Sequence, residues 1–299
     1  MTPLQSKQIE LNPKIPSPAG QEAFEVIEPV VQRFPCVFAS PHSGTKYSDE
    51  FLAASTLGLL RLRSSEDCYV DELFGAAPEL GMPLLCALFP RAYLDPNRRP
   101  YELDPSMFRD ALPSYVEMRS HDVAKGLGTI ARVVADGMEI YQKKLSFAEA
   151  RHRIQAFYHP YHAALRRLIA ETRARFGCCV LIDCHSMPST TGSEFEPADF
   201  VLGDCYGTSC NPSVTESVEV FLQSFGYVVR RNCPYAGGFT TQTYGHPNKS
   251  SHALQIEINR ALYLNEETLE RLSGFVLLQS RMSQLITRLS ELPKERLLD

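Results

Sequence analysis

The chain contains no stretch of about 18 consecutive apolar residues, no run of lysine and arginine, no CxxC pair and no tryptophan. The first absence removes a membrane-spanning helix from the expectations. The second, together with a net charge of -5 and a pI near 5.9, removes the electrostatic footprint of a nucleic-acid or anionic-membrane binder. Without a CxxC, and with Cys205 and Cys210 lacking a second pair, a structural zinc knuckle is not expected. Nine scattered cysteines, an odd number, read as reduced thiols of a cytoplasmic protein rather than as a disulfide framework. Residues 1–20 are polar and proline-containing, so no signal peptide is expected. The missing tryptophan excludes nothing. What these absences leave is a small-molecule partner.

What is present is a chain of 299 residues, 44% hydrophobic and 22% charged, ordinary for a globular protein. Residues 1–30 read as an arm and residues 31–299 as one domain, since no repeat or composition break cuts the remainder. Short apolar runs at 36–40, 83–89, 180–183, 226–230 and 253–258 predict strands. Helical spacing predicts helices over 63–80 (the stripe Val70, Leu73, Phe74, Ala77, stopped by Gly81), 127–144, 148–176, 214–225 and 267–292. His159-Pro160 demands a kink in the third of these. Alternating strands and helices predict a single α/β domain with a central, mostly parallel or mixed sheet flanked by helices.

In such sheets ligands bind beyond the carboxyl ends of the strands. Two strands end in a His-Ser pair, His42-Ser43 and His185-Ser186. Two histidines at equivalent strand ends predict a metal pair, and a catalytic zinc needs a third ligand plus an open water position. Glu66 and Asp67 are the candidates for that third place, and periodicity does not choose between them. After the 83–89 strand come Arg91, Asn97, Arg98 and Arg99, planar donors suited to a carboxylate or a developing oxyanion. Glu257 lies among Ile256 and Ile258, where burial would raise its pKa into the range of a general base. The stretch containing Gly237, Gly238 and Thr240 reads as a flexible lid over substrate, while Tyr161 and His162 read as aromatic packing at the helix kink. A thiol mechanism would use Cys184, but its neighbour His185 should point to the opposite side of the strand. Neither Ser43 nor Ser186 sits in a G-x-S-x-G elbow, so metal-assisted hydrolysis is the expected reaction class.

Taken together, Ser40-Pro41-His42-Ser43-Gly44, Asp67-x2-Val70-Asp71-x-Leu73, Arg91-x3-Asp95-x-Asn97-Arg98, Asp183-Cys184-His185-Ser186-Met187, Gly237-Gly238-Phe239-Thr240 and Leu254-Gln255-Ile256-Glu257 resemble the N-formylglutamate amidohydrolase family. The matches run in order through residues 36–260. The resemblance implies a zinc-carboxypeptidase-like (phosphorylase/hydrolase-like) fold and one Zn2+ per chain held by His42, Asp67 and His185. It implies Glu257 as general base and acid, with a nearby arginine at the oxyanion and Arg91 either there or joined to the grip on the substrate carboxylate. Asn97 and Arg98, with Gly238 and Thr240, would bind a substrate that carries a carboxylate. The implied reaction takes N-formyl-L-glutamate and water to formate and L-glutamate, a step of histidine degradation.

Overall fold

The computed structural model describes residues 22–134, 137–190 and 197–298. The strands in chain order are β1 (Phe24–Ile27), β2 (Cys36–Ser40), β3 (Leu84–Ala87), β4 (Cys179–Met187), β5 (Phe200–Gly203), β6 (Val229–Arg231) and β7 (Ser251–Asn259). The helices are α1 (Asp49–Ala54), α2 (Leu59–Arg63), α3 (Val70–Leu73), α4 (His121–Ala124), α5 (Phe147–Arg153), α6 (His159–Phe176), α7 (Pro212–Gln223), α8 (Phe239–Tyr244) and α9 (Gly274–Ser290). Among the described residues seven strands join one mixed sheet in the order β1-β3-β2-β4-β7-β5-β6, the α/β architecture expected. β1 is antiparallel to β3, and β5 is antiparallel to β7; the other neighbours are parallel. Phe24–Ile27 lies within the stretch read as an arm and forms one edge of the sheet, while residues 1–21 lie outside the described ones.

Every residue of the central strand β4 is buried, which is why it reads as a continuous apolar run rather than an alternation. Alternation still decides what each residue meets. Val180, Ile182 and Cys184 face a core built with α3, α7 and α9, where Leu278, Met282, Leu285 and Ile286 line the inner stripe of α9. Cys179 and Leu181 face the other core, where α6 contributes Tyr161, Leu165, Leu168 and Ile169. Asp183 and His185 continue this second row toward the carboxyl end of the sheet, beyond the reach of the apolar core.

Several elements differ from expectation. The 63–80 stripe is buried as expected, but only α2 and α3 are α-helical there, because Tyr69 adopts φ 63 and breaks the path. Among the described residues of 127–144 there is no α-helix. Gly126 and Gly137 take left-handed φ of 76 and 73, and Val133 pairs as an isolated bridge with Glu139. Ile130, Val134 and Ile140 are nevertheless buried, so the apolar spacing reported core contact without helix. β4 runs four residues past Asp183, so that His185 sits inside the strand rather than after it. β5 was not expected at all, and the closing helix begins only at Gly274 because Leu269 adopts φ 58. At Pro160 the expected kink takes the form of a π turn over Ile154–Tyr158 between α5 and α6. A wider turn accommodates a residue that lacks an N–H and crowds the preceding carbonyls.

Tight packing where β2 and β3 end fixes the loop that carries His42. A Cβ placed on Gly44 would stand 2.2 Å from Phe89 O and 2.6 Å from Leu88 C. Gly44→Ala is therefore expected to cost about 3 kcal/mol of stability, measured by urea unfolding. A loss under about 0.5 kcal/mol would mean that the two loops part freely. His162, buried on α6, bonds the Pro96 carbonyl at 2.8 Å and the Tyr244 hydroxyl at 2.8 Å, confirming it as part of the aromatic packing. Burial lowers its pKa to about 4, against the opposing effect of the Pro96 carbonyl. The unfolded chain takes up a proton that the folded one refuses, so this contribution is intact above about pH 6.5 and is lost as pH falls toward 4. The expected loss is about 3 kcal/mol, and unfolding of His162→Gln across the same range should show a flatter profile.

Candidate active site

A cavity of about 650 Å³ opens at the carboxyl ends of β2, β4 and β7, within the range of small-ligand sites. It lies where the chain leaves β2 toward β3 on one side and pairs with β4 on the other, the switch point at which α/β sheets bind ligands. The β4/β7 register sets Asp183 beside Gln255 and His185 beside Glu257. In a parallel pair such neighbours share a face. His185 and Glu257 therefore stand abreast on the cavity floor.

His42 enters from the loop after β2. Asp67 is brought to it by the turn after α2: the Asp67 N–H donates to His42 O at 3.0 Å, and the Ser43 hydroxyl donates to Asp67 O at 3.1 Å. The same hydroxyl accepts from the Asp71 N–H, so Ser43 pins the turn rather than acting as a nucleophile. The outcome is a compact group: His42 Nδ1 and Asp67 Oδ2 are 3.2 Å apart, His185 Nδ1 and Asp67 Oδ2 3.1 Å, and the two Nδ1 atoms 3.1 Å. Among the described residues these three alone are grouped as a metal could use them. Asp67, not Glu66, takes the third place. Glu66 is buried elsewhere, accepting from the Tyr47 hydroxyl at 2.7 Å and from Arg63 Nε at 3.1 Å.

The outward nitrogens decide what the inward ones can do. His42 Nε2 faces Asp95 Oδ1 at 2.8 Å, and His185 Nε2 faces Asp183 Oδ2 at 3.0 Å. A carboxylate opposite Nε2 holds the ring proton there, which leaves Nδ1 with a bare lone pair. With both rings neutral, three lone pairs converge on one point, an arrangement that a cation would satisfy. Without a cation, a proton shared between the rings and Asp67 takes its place. Burial opposes ionisation of Asp67, but the two histidines hold its carboxyl well below the usual range. Burial likewise opposes ionisation of Asp95, and His42, Arg91 and Arg98 reverse it. His185 is raised well above the ordinary histidine range, burial being outweighed by Asp183, Asp67 and Glu257.

Glu257 is only 7% exposed. Gln255 Nε2 donates to its Oε1 at 2.8 Å, while Gln255 Oε1 accepts from the Gly238 N–H at 2.8 Å. Burial first, and then Asp67, push its carboxyl up, against the pull of His185, Arg91 and His42. A raised carboxyl in a cavity is what proton transfer near neutral pH needs. Arg91 lines the cavity and donates through Nε to Asp95 Oδ2 at 3.0 Å. Arg98 and Arg99 lie further along its wall, with Arg98 Nε held by Leu127 O at 2.9 Å.

Asn97 lines the cavity too, but its amide is engaged: Oδ1 accepts from the Thr240 N–H at 2.8 Å, and Nδ2 reaches Asp183 Oδ2 at 3.5 Å. Gly238 stands so close that a Cβ there would meet Asn97 Oδ1 at 2.5 Å. Thr240 is buried in the first turn of α8, so the stretch read as a flexible lid is partly a helix. Sequence reasoning missed Arg260, Asp183, Asp95 and Gln255 as contributors. Burial of a charged or amide side chain at a strand end was the available signal, since Gln255 flanks Glu257 at a spacing of two and must share its face.

Cys184 turns away into the α9-side core with 0% exposure, and burial raises its thiol well above the normal range. It cannot serve as a nucleophile from there. A sequence model of the family described as N-formylglutamate amidohydrolase matches residues 34–264. N-formylglutamate deformylase of Pseudomonas putida is 29% identical over 242 residues, covering 78% of this chain and 83% of its own. Its counterpart in Pseudomonas aeruginosa is 30% identical over 240 residues, covering 79% and 84%. The crystal structure of N-formylglutamate amidohydrolase from Ralstonia eutropha JMP134 superposes with a TM-score of 0.85 at 39% identity, covering 90% of this chain and 97% of that one. A gene product of Agrobacterium tumefaciens shares the fold at a TM-score of 0.55 and 18% identity. Under native alkylation with iodoacetamide, exposed Cys233 is expected to react first, with Cys184 unmodified until unfolding, as read by peptide mass spectrometry. Rapid native labelling of Cys184 would contradict its placement.

Proposed function

The chain belongs to the N-formylglutamate amidohydrolase family, and from that premise we propose that it is a zinc-dependent hydrolase releasing formate from N-formyl-L-glutamate. The observation that carries the metal is the convergence of His42 Nδ1, Asp67 Oδ2 and His185 Nδ1, each within 3.2 Å of the other two. The donor set fits: two imidazoles with one carboxylate is a zinc complement that leaves a position open for water, and both rings are oriented by a carboxylate at Nε2. Bound there, zinc would supply Lewis-acid polarisation of the formyl carbonyl and a lowered pKa for water.

The chain's own residues do the rest. Glu257 accepts the proton of the attacking water and returns it to the leaving nitrogen, a task suited to its raised carboxyl. Gln255 holds one of its oxygens, so the other faces the reaction. Arg91, whose Nε is tied to Asp95, turns its remaining donors toward charge developing on the formyl oxygen. Arg98, together with the loop and helix start at Gly238 and Thr240, forms the wall for the substrate carboxylates, with Asn97 bracing that wall against Asp183. Nine cysteines, seven of them buried, support a cytoplasmic setting. No helix among the described residues is long and apolar enough to cross a membrane.

Metal analysis of the purified protein should find about one zinc per chain, with formate release lost on chelation and restored by zinc. His185→Ala should lose the metal. Glu257→Gln should keep it and lose about 10²–10⁴ in kcat. Metal without formate release would retain the hydrolase and reject N-formylglutamate as substrate; activity indifferent to chelation would reject the metal.

A further inference from the structure

Asp67 has two oxygens and the three-ligand group uses one. Oδ2 faces both histidines. Oδ1 faces the other way, accepting from Arg260 Nη2 at 3.1 Å and from the Ser186 hydroxyl at 3.2 Å. Arg260 is itself buried, at 7% exposure, and each of its three guanidinium nitrogens has a partner. Its Nε donates to Ser186 Oγ at 3.1 Å, its Nη1 to Ser64 O at 3.1 Å and its Nη2 also to Glu66 O at 2.7 Å. One guanidinium therefore grips the backbone that carries Asp67, the hydroxyl beside His185 and the second oxygen of Asp67.

We propose that Arg260, acting with Ser186, is a positioning residue that keeps Asp67 a one-oxygen ligand and so reserves a coordination position for water and substrate. This rests on the metal reading above. A carboxylate with both oxygens free can grip a cation through both, and at a site of three protein ligands that second bond competes for the place where water must bind. Two charge-assisted or polar donors on Oδ1 make that rotation costly, because the buried guanidinium would lose its anion. Arginine suits the task because its fork reaches a carboxylate, a hydroxyl and two carbonyls from one rigid plane, which a lysine ammonium cannot do. Neither Arg260 nor Ser186 needs to touch the reacting atoms.

Cobalt(II) is the probe that tests it, since its d–d absorption weakens as a four-coordinate site becomes five-coordinate. Metal-free wild type, Arg260→Lys and Ser186→Ala are titrated with cobalt, recording the spectrum at full occupancy and the affinity by chelator competition. Both variants should bind cobalt about 10–100-fold more weakly, and both should absorb less per cobalt than wild type. Ser186→Ala leaves the Arg260 grip on Ser64 and Glu66 in place, so its spectrum reports on Oδ1 and not on a loosened backbone. Weaker binding with an unchanged spectrum in both variants would overturn the proposal, because loss of structural support alone gives that result. Unchanged spectra with unchanged affinity would overturn it as well. Wild type that takes up no cobalt would overturn the metal reading itself, and this inference with it.

Discussion

The arrangement depends on two buried carboxylates that never point into the centre of the site. Asp95 and Asp183 stand behind His42 and His185 at 2.8 and 3.0 Å and fix which nitrogen of each ring carries the proton. Everything at the front is set by that choice. Two Nδ1 lone pairs and Asp67 Oδ2 are then forced together in a place nearly closed to water, where acceptors without a cation repel strongly. Removing one partner from such a buried charged group costs about 3–5 kcal/mol, so the site is stable only as a set.

The sheet supplies the geometry for that set. One register, His185 against Glu257 and Asp183 against Gln255, places four polar groups on one face of two adjacent parallel strands. Below them the same face is apolar and packed on α6, which holds the strands still. Beyond the strand ends, the chain turns by short polar bonds: Ser43 ties the Asp67 turn, Asp95 ties Arg91 and the Asn97 backbone N–H, and Asn97 ties the start of α8. The rigid strands and the bonded loops together set the distances on which the proposed chemistry depends.

Much of this was legible in the amino-acid order. Apolar runs marked β2, β3, β4, β6 and β7; all but β6 are buried nearly throughout, and a strand covered on both faces has no other way to be written. His42-Ser43 marked the loop after a strand and His185-Ser186 lie among the last residues within one, and Glu257 among isoleucines marked a buried carboxylate. The helical spacing at 127–144 misled because apolar residues at three- and four-residue intervals also suit an irregular segment whose glycines turn it repeatedly into the core. β5 (Phe200–Gly203) was missed because its apolar residues stand alone between polar ones, whereas β3 lies inside the longer apolar run 83–89.

By itself the sequence determined the alternation that sends Cys184 to one core and His185 to the cavity, since period-two geometry is a property of the backbone alone. It also determined the α/β class and which residue types were available for a metal and a proton transfer. Residue spacing left Glu66 and Asp67 open and the family resemblance favoured Asp67, but only the tertiary structure shows what tells them apart. The two are neighbours on one turn, and what separates them is where that turn is held: by His42 and Ser43 on one side, and by Arg260, 193 residues away, on the other. Contacts at that separation leave no local pattern, because they are set by packing of distant elements rather than by the spacing of adjacent side chains.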